Sequence, residues 1–135
     1  RTAQFGLPEV RRGLVATSGG LFRAPRALPL NIARELLLTG DSISADRAER
    51  LGLVNQLTEP GGALDGALAL AERIVLNAPT SIRETLGALE AIVGHGDDRG
   101  WQATNTAREV IYASEDRKEG VSAFFERRTP IWPGR

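Results

Sequence analysis

Apolar residues recur every three or four positions through most of the chain, and that rhythm predicts helices. Within residues 28–38, Ile32, Leu36 and Leu37 share it, and Thr39-Gly40 closes the run with the residue best suited to a left-handed C-terminal cap. Ser42 and Ser44 then offer N-cap oxygens for a short helix through Arg50, with Asp46 and Glu49 near its positive end and Gly52 after it. Residues 53–57 alternate apolar with polar, which predicts a short strand. From Pro60 onward the helical period returns. Leu64, Ala67, Leu68, Ala71, Ile74 and Val75 form one stripe. Pro79 suits the first turn of a following helix whose buried face is expected to be Ile82, Leu86, Leu89 and Val93. Residues 94–98 read as a loop. Residues 101–113 and 115–128 read as two more helices, the last turning Val121, Phe124 and Phe125 inward, and two prolines keep residues 129–135 out of helix.

The first 29 residues break this rhythm. Gly6, Gly13, Gly19 and Gly20 stand among Pro8, Pro25 and Pro29, which implies loops and short strands, with Ala3-Gln4-Phe5 ending one strand. A pair of strand-like pieces cannot satisfy its own edges. The N-terminal third is therefore expected to be the last turn of a larger β/α core. An Arg at position 1 and the absence of methionine lead to the same expectation, that this is the visible part of something longer.

Composition narrows the classes. The 135 residues are 41% hydrophobic and 25% charged, ordinary for a globular domain with a sizeable core. Lys plus Arg and Asp plus Glu both number 17, so no broad basic field favours nucleic acid or a membrane surface. Without cysteine the chain offers no disulfide, thiolate zinc site, iron–sulfur cluster or Cys nucleophile, and a cytoplasmic location is expected. Apolar runs such as Leu36-Leu37-Leu38 are far shorter than the roughly 20 residues that span a bilayer. The first residues carry no apolar h-region, so they are not expected to be a signal peptide.

Few residues invite chemistry. Glu9 follows the fixed turn Phe5-Gly6-Leu7-Pro8, where a carboxylate aimed into a cleft serves general acid–base work and a solvated turn glutamate serves nothing. Gly13 to Gly20 fails as a phosphate loop, because Leu21-Phe22 follows Gly20 where Lys-Ser/Thr belongs. It fails as a nucleophile elbow too, because Ala16 stands where the first Gly belongs. A tight turn at Gly19-Gly20 is its simplest reading. His95, the one histidine, lies between two glycines and finds no second histidine for a zinc site, so no metal is expected. Arg127 and Arg128 complement a helix C-terminus, or bind phosphate with Phe124 as a stacking surface.

Taken together, these segments resemble the C-terminal half of the crotonase superfamily, the enoyl-CoA hydratase/isomerase family. The likeness is carried by Ala3-Gln4-Phe5-Gly6-Leu7-Pro8-Glu9-Val10, Gly13-Leu14-Val15, Gly19-Gly20 and Leu37-Leu38-Thr39-Gly40-Asp41. Ser44-Ala45, Leu51-Gly52-Leu53-Val54-Asn55, residues 114–120 and residues 123–128 continue it in order. The resemblance implies an α/β fold in which residues 1–59 finish a spiral of ββα turns and residues 60–135 form a helical trimerisation region. It implies a homotrimer, or a dimer of such trimers, acting on an acyl-CoA thioester with no further cofactor. The implied reaction adds water across the 2,3 double bond of an enoyl-CoA, as in fatty-acid metabolism. Another crotonase-type reaction (isomerisation, hydrolysis, dehalogenation) and a non-catalytic oligomerisation module stand as alternatives. Glu9 matches the second catalytic glutamate of hydratases, which protonates the α-carbon. Gly19 and Gly20 match the backbone lining the substrate and water site, Arg127 a basic residue near the CoA phosphates, and Phe124 an aromatic near the nucleotide. The oxyanion-hole segments and the first glutamate of the family lie upstream of position 1. The family commonly has Pro-x-Gly/Ala before its Gly-Gly, where this chain has Ala16-Thr17-Ser18.

Overall fold

Two three-residue strands, three helices and a 3₁₀ turn build the N-terminal core in the computed structural model, which describes residues 1–77, 79–93 and 97–135. Strand β1 (Gln4–Gly6) pairs antiparallel with β2 (Ser42–Ser44), Phe5 opposite Ile43. A 3₁₀ helix (Pro8–Arg12) follows β1, then α1 (Gly20–Ala27), α2 (Leu30–Thr39) and, after β2, α3 (Ala45–Arg50). Leu28, Ala33, Leu36, Ile43 and Ala48 form the buried cluster, with Phe5, Leu51 and Leu53 packed around it. The caps follow from local chemistry. Gly40 ends α2 at φ 68°, and the Ser44 hydroxyl accepts from the Arg47 N–H at 3.3 Å to start α3.

Among the described residues four helices follow: α4 (Ala63–Val75), α5 (Pro79–Val93), α6 (Asp97–Ala113) and α7 (Glu115–Glu126). Ser114 caps α7, its hydroxyl accepting from the Arg117 N–H at 3.1 Å. Helix α6 packs on α1 through an edge-to-face pair, Phe22 and Trp101, with ring centroids 5.2 Å apart. Among the described residues, no helix is long and apolar enough to cross a membrane.

Several expectations fail here, each for a physical reason. Residues 53–57 form no strand. Leu53 and Val54 instead pack their side chains against the core cluster, because alternation alone does not supply a neighbouring edge. Helix α1 occupies a stretch expected to be loop. Gly19 starts it at φ 87°, and Pro25 removes only one N–H from a helix eight residues long. Asp97 and Asp98 are not loop residues but open α6, where carboxylates complement the positive helix end. His95 lies outside the described residues.

The apolar stripes of α4 and α5 are not buried within the chain. Leu64 is 67% exposed, Leu86 56% and Val93 57%. Phe124 and Phe125 also point outward rather than in. The face that α7 turns to the core is instead made of Gly120 and Ala123, because the backbone of the 3₁₀ turn comes too close there for a large side chain.

Candidate active site

Glu9 owes its position to a turn held at both ends. Pro8 takes the first place of the 3₁₀ helix, where its missing N–H is no loss. Gly13 closes the helix at φ 64°, its N–H donating to the Val10 carbonyl at 3.2 Å, while the Leu14 N–H donates to the Glu9 carbonyl at 3.0 Å. Neighbouring elements then clamp the turn. The Arg11 Nε–H donates to the Thr39 carbonyl at the end of α2, 3.1 Å away, and the same guanidinium pairs with Asp41. On the other side, a Cβ on Gly120 would lie 2.5 Å from the Arg12 carbonyl carbon and oxygen, and one on Gly13 would lie 2.5 Å from the Asp116 carbonyl oxygen. Backbone therefore meets backbone where α7 crosses the turn.

The half-buried Glu9 side chain lines a cavity of about 320 Å³. Helix α2 contributes Arg34, Leu37 and Leu38 to its wall, α1 contributes Leu21, and the loop between the 3₁₀ turn and α1 contributes Val15 and Ala16. The carboxylate oxygen Oε2 is shielded from solvent and has no hydrogen-bond partner among the described residues. Folded chains rarely leave a buried acceptor unmatched. An acid held against an apolar cavity with a free oxygen is equipped to exchange a proton with whatever fills that cavity.

The other sequence candidates surround this centre without all joining it. Gly20 permits a close approach: a Cβ there would lie 2.9 Å from that of Ala16 and 3.2 Å from Leu7 Cδ2. This seats the start of α1 beside the Glu9 cavity, so Ala16 and Leu21, which bracket Gly19-Gly20, line it. Gly20 itself lines a neighbouring cleft of about 430 Å³ with Phe5 and Leu7. Phe124 lies across the turn, its ring centroid 4.6 Å beneath the Arg12 guanidinium, and shares a cavity of about 220 Å³ with Arg12 and Arg128. Arg127 forms the exposed C-cap of α7 at φ 55°. Neither Phe124 nor Arg127 lines the Glu9 cavity.

Arg128 differs from its neighbour in being fully engaged. Its guanidinium bonds both Glu119 oxygens, at 2.5 and 2.9 Å, and a Glu126 oxygen at 2.6 Å. Those bonds, with the Ile131 N–H donating to Glu119 at 2.7 Å, hold the Glu119 carboxyl down at about 2. Sequence reasoning missed Arg34 altogether. Its spacing of three and four residues before Leu37 and Leu38 puts it on the same helix face, and that was the available signal. Among the described residues, no group of His, Cys, Asp and Glu side chains is arranged to hold a metal ion.

Comparison with known proteins gives this geometry a family. The chain is 40% identical over 134 residues to the (E)-benzylidenesuccinyl-CoA hydratase of Thauera aromatica, covering 98% of this chain and 52% of that relative. Its fold matches a carnitinyl-CoA dehydratase from Mycobacterium avium 104 at TM-score 0.91 and 45% identity, over 98% of this chain and 53% of that one. An enoyl-CoA hydratase from Mycobacterium tuberculosis H37Rv matches at TM-score 0.67 and 47% identity, over 100% of this chain and 54% of that one. The chain thus spans about half the length of the relatives it matches. The two-stranded sheet with its helices is in keeping with an α/β crotonase-type fold. The enoyl-CoA hydratase/isomerase family model matches residues 1–135, from the first residue to the last, and the chain belongs to that family.

Proposed function

We propose that the protein is a hydratase of 2-enoyl-CoA thioesters, working in the cytoplasm as part of acyl-CoA or fatty-acid metabolism. The observation that carries this reading is the Glu9 carboxylate, half-buried in an apolar cavity with Oε2 unpartnered among the described residues. In the reaction, the oxygen of a water molecule bonds the β-carbon of the enoyl thioester while its O–H bond breaks and a second carboxylate takes that proton. The electrons of the 2,3 double bond move toward the thioester carbonyl, and the α-carbon then takes a proton. Glu9 delivers that proton. Backbone donors and a second carboxylate from outside this chain hold the enolate oxygen and the water. Related proteins named as a hydratase and a dehydratase of CoA thioesters support this choice of reaction.

Residues 1–59 then finish the catalytic core, with Gly19 and Gly20 shaping the backbone beside the water and the thioester. Residues 60–135 form the region through which copies associate as trimers, or pairs of trimers. The exposed leucines of α4 and α5 support that assignment, since faces of this kind seek a partner. Phe124 and Arg127 meet the nucleotide end of CoA, one by stacking and the other by pairing with phosphate.

The test is Glu9→Gln in the native full-length protein. The expected result is a loss of kcat by a factor of about 1,000 or more on a short 2-enoyl-CoA, with CoA-thioester affinity kept. Undiminished turnover would remove Glu9 from the reaction.

A further inference from the structure

We propose that the acyl group received beside Glu9 carries an anionic group, a carboxylate, and that Arg34 binds it. The proposal rests on the hydratase reading for the placement of an acyl group in this cavity. A plain hydrocarbon tail needs only the walls that Val15, Ala16, Leu21, Leu37 and Leu38 provide. Arg34 adds a guanidinium to the same wall, and no hydrogen bond or ion pair occupies it among the described residues.

Three other arginines of the N-terminal core are matched by carboxylates. Arg11 pairs with Asp41, Arg26 with Asp97, and Arg47 holds Glu35 through two bonds of 2.8 Å. That last pair matters most, because it engages both oxygens of the carboxylate next to Arg34 in sequence. Glu9 is no substitute, since its shielded oxygen is also unpartnered among the described residues. The cavity therefore has a solvent-exposed cation on its wall and a half-buried acid beside it that do not satisfy each other among the described residues. A substrate with a thioester at one end and a carboxylate at the other answers both. The planar guanidinium fork matches a carboxylate in two parallel hydrogen bonds. The volume of about 320 Å³ is at the small end of ligand cavities, so the acyl group is short.

The experiment compares two saturated thioesters of equal carbon count, glutaryl-CoA and pentanoyl-CoA, by calorimetry on the native full-length protein, with free CoA as the reference. Glutaryl-CoA is expected to bind roughly tenfold to a hundredfold more tightly. Arg34→Gln should bring the ratio near one, and Arg34→Lys should keep part of it. The 2-enoyl forms of the same pair are then assayed for hydration, and the ratio of their kcat/KM values should fall with Arg34→Gln.

A native ratio near one overturns the proposal, as does a ratio that Arg34→Gln leaves intact. Equal losses on both enoyl substrates overturn it as well, since they assign Arg34 to Glu9 rather than to the substrate. Hydration of both enoyl forms without preference rejects the anionic substrate and keeps the hydratase. Preferential binding of glutaryl-CoA without hydration of either enoyl form does the reverse. If no acyl-CoA binds, both readings fall.

Discussion

The β1–α3 region and the α4–α5 region carry apolar patterns of similar strength and meet opposite fates. In the first, Leu28, Leu36 and Ile43 are almost wholly removed from solvent. In the second, Leu64, Leu86 and Val93 keep more than half their surface exposed. The contrast teaches that helical periodicity identifies which face is apolar and says nothing about whether the covering surface belongs to the same chain. The N-terminal elements supply one another's partners within about fifty residues, so their burial closes locally. The later helices extend an apolar face for which this chain provides no cover among its described residues.

Paired truncations would break or confirm that difference. Leu36→Ala is expected to cost about 3 kcal/mol, because it opens a cavity in a filled cluster. Leu86→Ala should cost far less by the same denaturant titration if its face contributes only to association, whereas Leu86→Asp should lower the sedimenting mass. An equal loss of stability from the two alanine variants would erase the contrast.

A smaller effect is expected where the two ends of the chain touch. Gly120→Ala places a Cβ against the Arg12 carbonyl, and about 2 kcal/mol of stability should be lost as α7 is pushed off the turn. Faster amide exchange across the 3₁₀ turn would accompany it. Unchanged exchange would mean that α7 does not brace Glu9.

The mildest perturbation is acid. The Glu119 carboxyl is held at about 2, below its usual 4.5, chiefly by Arg128 and then by the Ile131 N–H. A depressed carboxylate stabilises the fold above its unfolded value, so its contribution to stability is complete above about pH 4.5 and is lost as pH falls toward 2, where the contact itself breaks. Following the Ile131 amide resonance against pH locates the transition. A midpoint near 4.5 would show that the tail is not held by this carboxylate.

What was legible in the sequence follows the reach of each interaction. Gly40 as a helix cap and Ser44 as an N-cap were readable because both act within four residues. The α1 helix was hidden by its own punctuation, since Gly19, Gly20 and Pro25 signal loops wherever the surroundings do not override them. Ser44 shows the same limit from another side. Its capping role was visible, but its pairing with Gln4 across forty residues was not. Glu9 stood out through the turn before it and the family likeness. Arg34 did not, because helix spacing names a face while a cavity is made by three separate elements.

The bond from Arg11 to the end of α2 has a consequence for how the cleft adapts. It ties the segment bearing Glu9 to the helix that forms the opposite wall, and the Asp41 pair doubles the tie. The two jaws are riveted at one corner. With that corner tied, room for a bulkier guest is expected to come from trimming Leu37 or Leu38, one methyl group at a time.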